Sequence, residues 1–429
     1  MVKNGVIIGD GAMGTMLQSL DLPLGTVPEQ WNLDEPDVIR SIHTQYIEAG
    51  AQVIETNTFG GNAVKLKDCA EDVVFKMNAA GAKLAKSAAL TAAQKVLVAG
   101  SIGPTGELFA PWGSLRFQDA VVAFTNQAAA LATGGADFLL IETMMDLQEA
   151  RAAYLGARSA GLPVVVQLTF QENGRTLMGT PPSVVREVFK ALGAMGVGAN
   201  CGTGPKAMFN VLKDMAGSKS GGVSAFPNAG LPIVEDGEER YPMQPDAFAV
   251  WAEKLAVAGA DLIGGCCGTT PAHIQMVKTN FKKQGFLTDL TTWLKLKQKV
   301  KVHKSAFLAG RTRLFAVEKS RLAQQLRNWG SIADVSVGSL SQSVQLSGNN
   351  LRPVVLEIPK GVSEAEIIQK TNELQMVDLP MVFAAETVLG LETALTYYCG
   401  RAGVLIPDDQ REKDFTITAR TLGALPIYL

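Results

Sequence analysis

The chain reads as an α/β protein, a (β/α)8 TIM barrel followed by a small α/β C-terminal module. Three observations predict this. Eight apolar strand-like runs fall before residue 270, helical patterns separate them, and a glycine sits near the end of each longer helix. The runs cover residues 6–9, 52–55, 96–101, 137–142, 164–169, 197–200, 222–226 and 261–265. They are continuously apolar rather than alternating, as expected for parallel strands buried on both faces. Helical patterns over 37–50, 117–134, 182–193 and 245–259 close on glycines suited to a left-handed cap. A local phrase recurs where helix meets strand: Ala49-Gly50-Ala51, Gly134-Gly135-Ala136 and Ala258-Gly259-Ala260. Eight β-α units in roughly 285 residues fit a barrel better than a doubly wound sheet. The latter would show fewer strands and a glycine-rich dinucleotide turn, which the chain lacks in the right context.

Beyond the barrel, at residues 1–285, the texture changes. Residues 286–305 include a lysine-rich stretch, Trp293-Leu294-Lys295-Leu296-Lys297, read as a solvated linker. Residues 306–429 read as a small α/β module, with a Ser/Gln/Asn-rich loop over 340–350 and strands over 354–358, 381–384 and 404–406. A capping box, Ser363-Glu364-Ala365-Glu366, opens a helix to about residue 374, and another helix spans 387–398. Half a barrel's worth of units is present, too few to close a second barrel.

Composition narrows the function classes. With 47% hydrophobic and 19% charged residues and a net charge of −2, a sizeable core is available, and nothing electrostatic favours nucleic acid or an acidic membrane surface. No run approaches the ~18 apolar residues of a membrane span, and no signal peptide is expected. Five cysteines, an odd number, argue against a disulfide framework and for a reducing cytoplasm. Three histidines leave little for histidine-based chemistry, and His43 and His273 are read as structural.

Polar residues collect at the C-terminal ends of the strands, where a barrel of this type builds its active site. The eighth strand ends in Gly264-Gly265-Cys266-Cys267-Gly268-Thr269 and the sixth in Asn200-Cys201-Gly202. Three thiols at strand ends suggest a zinc site on Cys201, Cys266 and Cys267, one ion per chain, with the fourth position open. An open position marks a catalytic rather than a structural site. A small thiol bound there would be held as a thiolate and could attack an electrophilic methyl group. A lone cysteine would be read as an inert buried hydrophobe, as Cys69 and Cys399 are. Two cysteines flanked by glycines, with a third at a neighbouring strand end, are not.

Asp10 and Glu142 each end an apolar run, where a solvated surface acid is unexpected, and they are the best candidates to bind an ammonium group. Helix capping or an ion pair is the competing role. Glycines at 9, 11 and 14 let backbone amides approach a carboxylate, which places Gly11 and Ala12 in the expected binding set. Asn57, Thr58, Asn200 and Asn228 could orient groups by hydrogen bonds, with turn formation as their alternative.

Six motifs in order, over about residues 1–285, resemble the homocysteine S-methyltransferase family. They are Gly9-Asp10-Gly11-Ala12-Met13-Gly14-Thr15, Glu55-Thr56-Asn57-Thr58-Phe59-Gly60, Gly103-Pro104-Thr105-Gly106, Asn200-Cys201-Gly202, Pro227-Asn228-Ala229-Gly230 and the Cys266-Cys267 segment. The resemblance is closest to the homocysteine-binding module of cobalamin-dependent methionine synthase. It implies the barrel, zinc on the three cysteines, homocysteine as methyl acceptor, and Asp10 and Glu142 around its ammonium group. The rest departs from that pattern: Leu391-Glu392-Thr393-Ala394-Leu395-Thr396-Tyr397-Tyr398-Cys399-Gly400-Arg401 weakly resembles one helix-turn of a folate-binding barrel, as in a truncated remnant. No cobalamin-binding histidine loop occurs, so cobalamin is expected only through a partner protein. Three functions compete. The first is transfer from a separate methylated corrinoid protein, and the second is transfer from a free donor such as S-methylmethionine or a betaine. The third is a non-catalytic homocysteine-binding scaffold, against which the retained cysteines argue. The tail is expected to pack on the barrel, on a second copy of the chain as a homodimer, or on the donor protein.

Overall fold

The computed structural model describes residues 5–291 except 24, 111, 217–221 and 236–237. Beyond these it describes 307–309, 314–316, 354–375, 381–407, 409 and 412–428. Most of the basic linker and the 340–350 loop lie outside the described residues. The chain divides into two compact units, residues 1–178 with 194–300, and residues 179–193 with 301–429.

The first unit is built on eight parallel strands: β1 (Ile7–Ile8), β2 (Val53–Glu55), β3 (Leu97–Ile102), β4 (Phe138–Met144), β5 (Val164–Leu168), β6 (Gly196–Asn200), β7 (Val223–Phe226) and β10 (Leu262–Ile263). Their order, β1-β10-β7-β6-β5-β4-β3-β2, is closed by a parallel bridge between Gly9 and Val53, completing the (β/α)8 barrel. A hairpin, β8 (Ile233–Glu235) and β9 (Glu238–Arg240), is inserted after β7. The eight barrel strands are buried, unlike the exposed Ile233 and Val234 of the hairpin; Ile7, Val53, Ala99, Phe138, Leu140, Val165, Phe226 and Leu262 share one core cluster. This is the two-sided burial that the unbroken apolar runs predict.

The recurrent helix-to-strand phrase has a mechanical cause. Helix α3 (Pro36–Ala49) ends on Gly50 at φ 115°, and α9 (Pro245–Ala258) ends on Gly259 at φ 118°, a region closed to residues with a Cβ. At two of the three joints, after Gly135 and Gly259, an aspartate two residues past the glycine ties neighbouring strand starts together. Asp137 accepts from the Val98 amide at 2.8 Å, and Asp261 accepts from the Gly222 amide at 2.7 Å. The lower end of the barrel is thus fixed by backbone-directed carboxylates, which leaves the upper end to chemistry.

The second unit contains a four-stranded parallel sheet in sequential order, β13 (Val354–Ile358), β14 (Met381–Ala385), β15 (Gly403–Ile406) and β16 (Leu425–Tyr428). Helices α11 (Glu364–Gln375), α12 (Val388–Tyr397) and α13 (Glu412–Thr421) connect the strands. The expected capping box forms: Ser363 and Glu366 exchange side-chain-to-amide hydrogen bonds at 3.2 and 3.3 Å. α13 and β16 go beyond the sequence reading. β16 contains Pro426, which argues against a strand, but it pairs only with β15 and is an edge, where a missing amide is tolerated. A second hairpin, β11 (Phe307–Ala309) with β12 (Leu314–Ala316), is likewise unanticipated.

Helix α7 (Pro182–Leu192) follows β5 in the chain yet groups with this second unit. Its Glu187 lies 3.8 Å from Arg401 and 3.1 Å from Arg186, and the Glu187 and Arg401 side chains are nine-tenths buried. No helix among the described residues is long and apolar enough to cross a membrane.

Two predictions follow from this packing. Removing one partner of a buried ion pair strands the other charge, at a cost of about 3–5 kcal/mol. Glu187→Ala should therefore lower the melting temperature by several degrees, whereas an unchanged melting curve would mean the pair contributes nothing. His43 on α3 is fully buried with neither ring nitrogen hydrogen-bonded, and burial pushes its pKa down to about 4. The unfolded chain therefore binds more protons than the folded one below the ordinary value of about 6.5. Stability present above that value is lost as pH falls toward 4, by roughly 3 kcal/mol over the window. Urea unfolding of His43→Leu should show a correspondingly weaker acid dependence than the parent chain. Parallel pH profiles for the two proteins would show that His43 is not the titrating group.

Candidate functional site

The upper ends of the strands bring two groups of acidic side chains together. The first is sulfur. Cys201 directly follows β6, and Cys266 and Cys267 follow β10; their Sγ atoms all lie within 4.8 Å of one another, with Cys201 and Cys267 at 3.8 Å. All five cysteines of the chain are free thiols. Backbone bonds fix the three: the Cys201 amide donates to Phe226 O and the Cys266 amide to Pro227 O, at 3.0 and 2.9 Å. Cys267 is pushed down to about 3 by hydrogen bonds from Cys201 and Cys266, so it is the first to ionise. Cys266 is raised well above the ordinary thiol range by its hydrogen bonds to Cys201 and Cys267, with burial adding to them. Protein alone therefore supports one thiolate here. Three thiolates around a tetrahedral ion, with metal–sulfur bonds of ~2.3 Å, would sit about 3.8 Å apart. The spacing present fits that requirement, and a dication would offset the charge of the remaining thiols.

The second group is carboxyl. Asp10 follows β1, Glu55 ends β2 and Glu142 lies in β4. Asp10 Oδ2 accepts from the Glu55 amide at 2.8 Å, while its Oδ1 is buried with no partner. Glu142 Oε1 accepts from Ser101 Oγ at 2.5 Å, and its Oε2 accepts from Asn200 Nδ2 at 3.2 Å. Burial pushes Glu142 up to about 7 against the pull of the Ser101 hydroxyl, and the Cys267 charge adds to it. Glu55 is raised well above the carboxylate range by burial first and then by the charges of Glu142 and Asp10. Asp10 is raised in the same way, burial first. Among the described residues none of the three forms an ion pair. Three buried acids facing one another call for a cation, and an ammonium group supplies one.

Asn200 joins the two groups. Its amide meets Glu142, and Nδ2 lies 4.0 Å from Cys266 Sγ. Asn228 is buried, and its neighbour Ala229 touches the thiol segment, its amide donating to Cys267 O at 2.9 Å; Asn228 Oδ1 has no partner. Gly11 cannot carry a side chain: a Cβ there would lie 2.7 Å from Thr269 Oγ1. The Ala12 amide donates to that same hydroxyl at 3.1 Å, so a ligand carboxylate would share or displace this bond. Tyr46 closes the turn by donating to Ala12 O and Thr269 O, both at 3.1 Å.

Asn57 and Thr58 do different work. Asn57 Nδ2 donates to Pro28 O and Asn32 Oδ1, at 2.8 and 3.1 Å. Thr58 donates to Ser101 O at 2.8 Å and lies 2.6 Å from Thr56 Oγ1. Asn57 thus ties its loop to the segment around residues 28–32, and Thr58 ties it to Ser101 on β3. Sequence reasoning overlooked Glu55, Ser101, Thr143 and Tyr241, whose side chain packs over Gly268 and hydrogen-bonds Cys267. The criterion that singles out Asp10 and Glu142, an acid ending an apolar run, applies equally to Glu55.

Known proteins resemble this barrel. Methionine synthases of Mycobacterium leprae and Mycobacterium tuberculosis are 38% identical over 289 and 294 residues, or 63% and 65% of this chain. Those stretches are 24% and 25% of the relatives, so the chain spans about a quarter of the length of the curated relatives it matches. Among solved structures, the oxidized form of the homocysteine methyltransferase MmuM from Escherichia coli aligns with TM-score 0.54 and 25% identity. That match covers 64% of this chain and 95% of that one. The metallated form aligns with TM-score 0.55 at 24% identity over 65% and 96%, a likeness of fold. The family model for homocysteine S-methyltransferase matches residues 7–281, from β1 into α10 (Pro271–Gln284), and the chain belongs to that family.

Proposed function

We propose that this chain transfers a methyl group to the thiol of homocysteine, giving methionine, with zinc held by Cys201, Cys266 and Cys267. The observation that carries this reading is the pairing of three clustered thiols with three buried carboxyls at one barrel mouth. A thiol amino acid presents the complementary pair, a sulfur for the metal and an ammonium for the acids. Zinc, when bound, would lower the proton affinity of a thiol placed at its open position. Asp10 and Glu142 hold the ammonium group, and Ser101 and Asn200 keep Glu142 aimed at it. The turn at Gly11 and Ala12 lies against the carboxylate end of the ligand. The thiol proton leaves to solvent on binding. The sulfur lone pair then forms the new S–CH3 bond, and the carrier keeps the electron pair of the bond that breaks.

A separate methylated corrinoid protein is the donor this reading favours. The support is the resemblance to the homocysteine-binding module of cobalamin-dependent methionine synthase and the 38% identity to mycobacterial methionine synthases. A free small donor is the second reading, because a barrel of this extent accounts for nearly the whole of the Escherichia coli homocysteine methyltransferase. Residues 306–429 are then available for contact with the donor protein or a second copy of the chain.

Assays with methylcobalamin, S-methylmethionine and betaine in parallel should yield methionine with the cobalamin donor. Methionine from S-methylmethionine or betaine alone would select the second reading, and homocysteine binding without product from any donor would leave a scaffold. The purified chain should hold about one zinc ion, and Cys201→Ala, Cys266→Ala and Cys267→Ala should each lose metal and turnover while the barrel stays folded. A fully active cysteine variant would overturn the zinc site. Glu142→Gln should raise the homocysteine KM roughly ten- to hundred-fold, the worth of a charged hydrogen bond, with little change in zinc content. An unchanged KM would remove Glu142 from ammonium binding.

A further inference from the structure

We infer that Thr143 and Asn200 form a rigid spacer between the carboxyl and thiol halves of the site, selecting a four-carbon thiol amino acid over its three-carbon homologue. The inference rests on the homocysteine reading and assigns its chain-length specificity.

Among the described residues, the non-glycine residues with positive φ are Asp21, Thr143 and Cys201, and two of these lie in the site. Thr143 sits at φ 59°, which a β-branched residue adopts only where its surroundings hold it. It lies in an irregularity of β4, where the pairing with β5 slips between Ile141 and Met144. The slip turns two groups of Thr143 toward β6. Its amide donates to Asn200 Oδ1 at 2.7 Å, and its Oγ1 accepts from Asn200 Nδ2 at 2.7 Å.

The strand order is β6-β5-β4, so this reciprocal pair reaches across the end of β5. Thr169, just past β5, completes the span by donating its hydroxyl to Asn200 O at 3.0 Å. On one side of the pair is Glu142, bonded to the same Asn200 Nδ2. On the other is Cys201, held at φ 55° with its Sγ 3.8 Å from Cys267. The path from the Glu142 carboxylate to the thiols thus runs through two backbone-fixed residues and one doubly bonded amide. The two side chains in that path are each held by hydrogen bonds, Glu142 to Ser101 and Asn200, and Asn200 to Thr143, so the gap between ammonium-binding and sulfur-binding positions is set by strand geometry. Removing one methylene shortens the ligand by roughly 1.5 Å, more than this frame can follow without breaking a bond.

The test is direct binding of L-homocysteine and L-cysteine to the zinc-loaded full chain by calorimetry, with zinc content and melting curves measured alongside. The parent chain should prefer homocysteine by at least about tenfold, within the range one methylene confers. Thr143→Val keeps size and branching but removes the Oγ1 acceptor. It should weaken homocysteine binding and narrow the preference, each by about fivefold to tenfold, at full zinc content. Thr143→Ser, which restores the hydroxyl, should recover both. If Thr143→Val does not fold, Thr143→Gly, free of strain at this φ, gives the same reading. Weakened affinity with an intact preference, or Thr143→Ser matching Thr143→Val, would reduce the pair to a structural prop and overturn the inference alone. A parent chain that binds neither amino acid overturns the proposed function and this inference with it.

Discussion

The site is organised by a charge deficit. Closing an apolar barrel places three carboxyls and three thiols where water is scarce, and neither group can ionise fully without a cation. Burial holds Asp10 and Glu55 well above the usual carboxylate range and Glu142 near 7, while among the thiols Cys267 alone is driven low. Such a mouth is poised for two different cations at two positions. On the proposed reading a dication serves the sulfurs and a substrate ammonium serves the acids. One small molecule carrying both a thiol and an ammonium group then engages both positions at once.

Holding like charges together requires a stiff frame, and the frame is mostly hydrogen-bonded hydroxyls and amides. Ser101 grips Glu142 while its own amide donates to Thr56 Oγ1 and its carbonyl accepts from Thr58. Thr269 is gripped in turn, donating to Cys266 O at 2.6 Å and accepting from the Ala12 amide. Such groups have no charge to oppose the ligand, and each is buried with partners, so they fix geometry without adding to the electrostatic problem. Asn57 and Thr58 belong to the same frame through their bonds to Pro28, Asn32 and Ser101.

Much of this was legible in the sequence because it depends on composition along single strands. Two-sided burial demands continuous apolar runs, and the eight runs emerged as the eight barrel strands. Thiols between glycines stand out against any background, so Cys201, Cys266 and Cys267 were identifiable before any coordinates, and their clustering followed. What stayed hidden depends on pairing between strands. The β4 irregularity at Thr143 has no local signature, since Glu142-Thr143-Met144 reads as an ordinary strand end. Glu55 was visible but overshadowed by the polar residues that follow it. The grouping of α7 with the second unit includes the contact of Glu187 with Arg401, over two hundred residues apart, which no local pattern announces. Pro426 masked β16 because the rule against proline in strands lapses at an edge.

The two ends of the barrel divide stability from chemistry. At the lower end Asp137 is satisfied by the fold itself, one oxygen accepting from the Val98 amide and the other from Lys86 Nζ at 2.6 Å. At the upper end Asp10 uses one oxygen the same way, on the Glu55 amide, and leaves the other bare. On the proposed reading the same residue type does structural work in Asp137 and ligand work in Asp10, and the two differ in whether the fold supplies the second partner. That unfilled valence is more informative than burial alone. A buried acid with both oxygens satisfied has no need of a ligand, whereas Asp10 Oδ1 and Asn228 Oδ1 both lack a partner at the mouth where the thiols converge. On the proposed reading the binding position is therefore marked twice, by charges that repel and by acceptors that are empty, and a donor-rich ammonium group answers both.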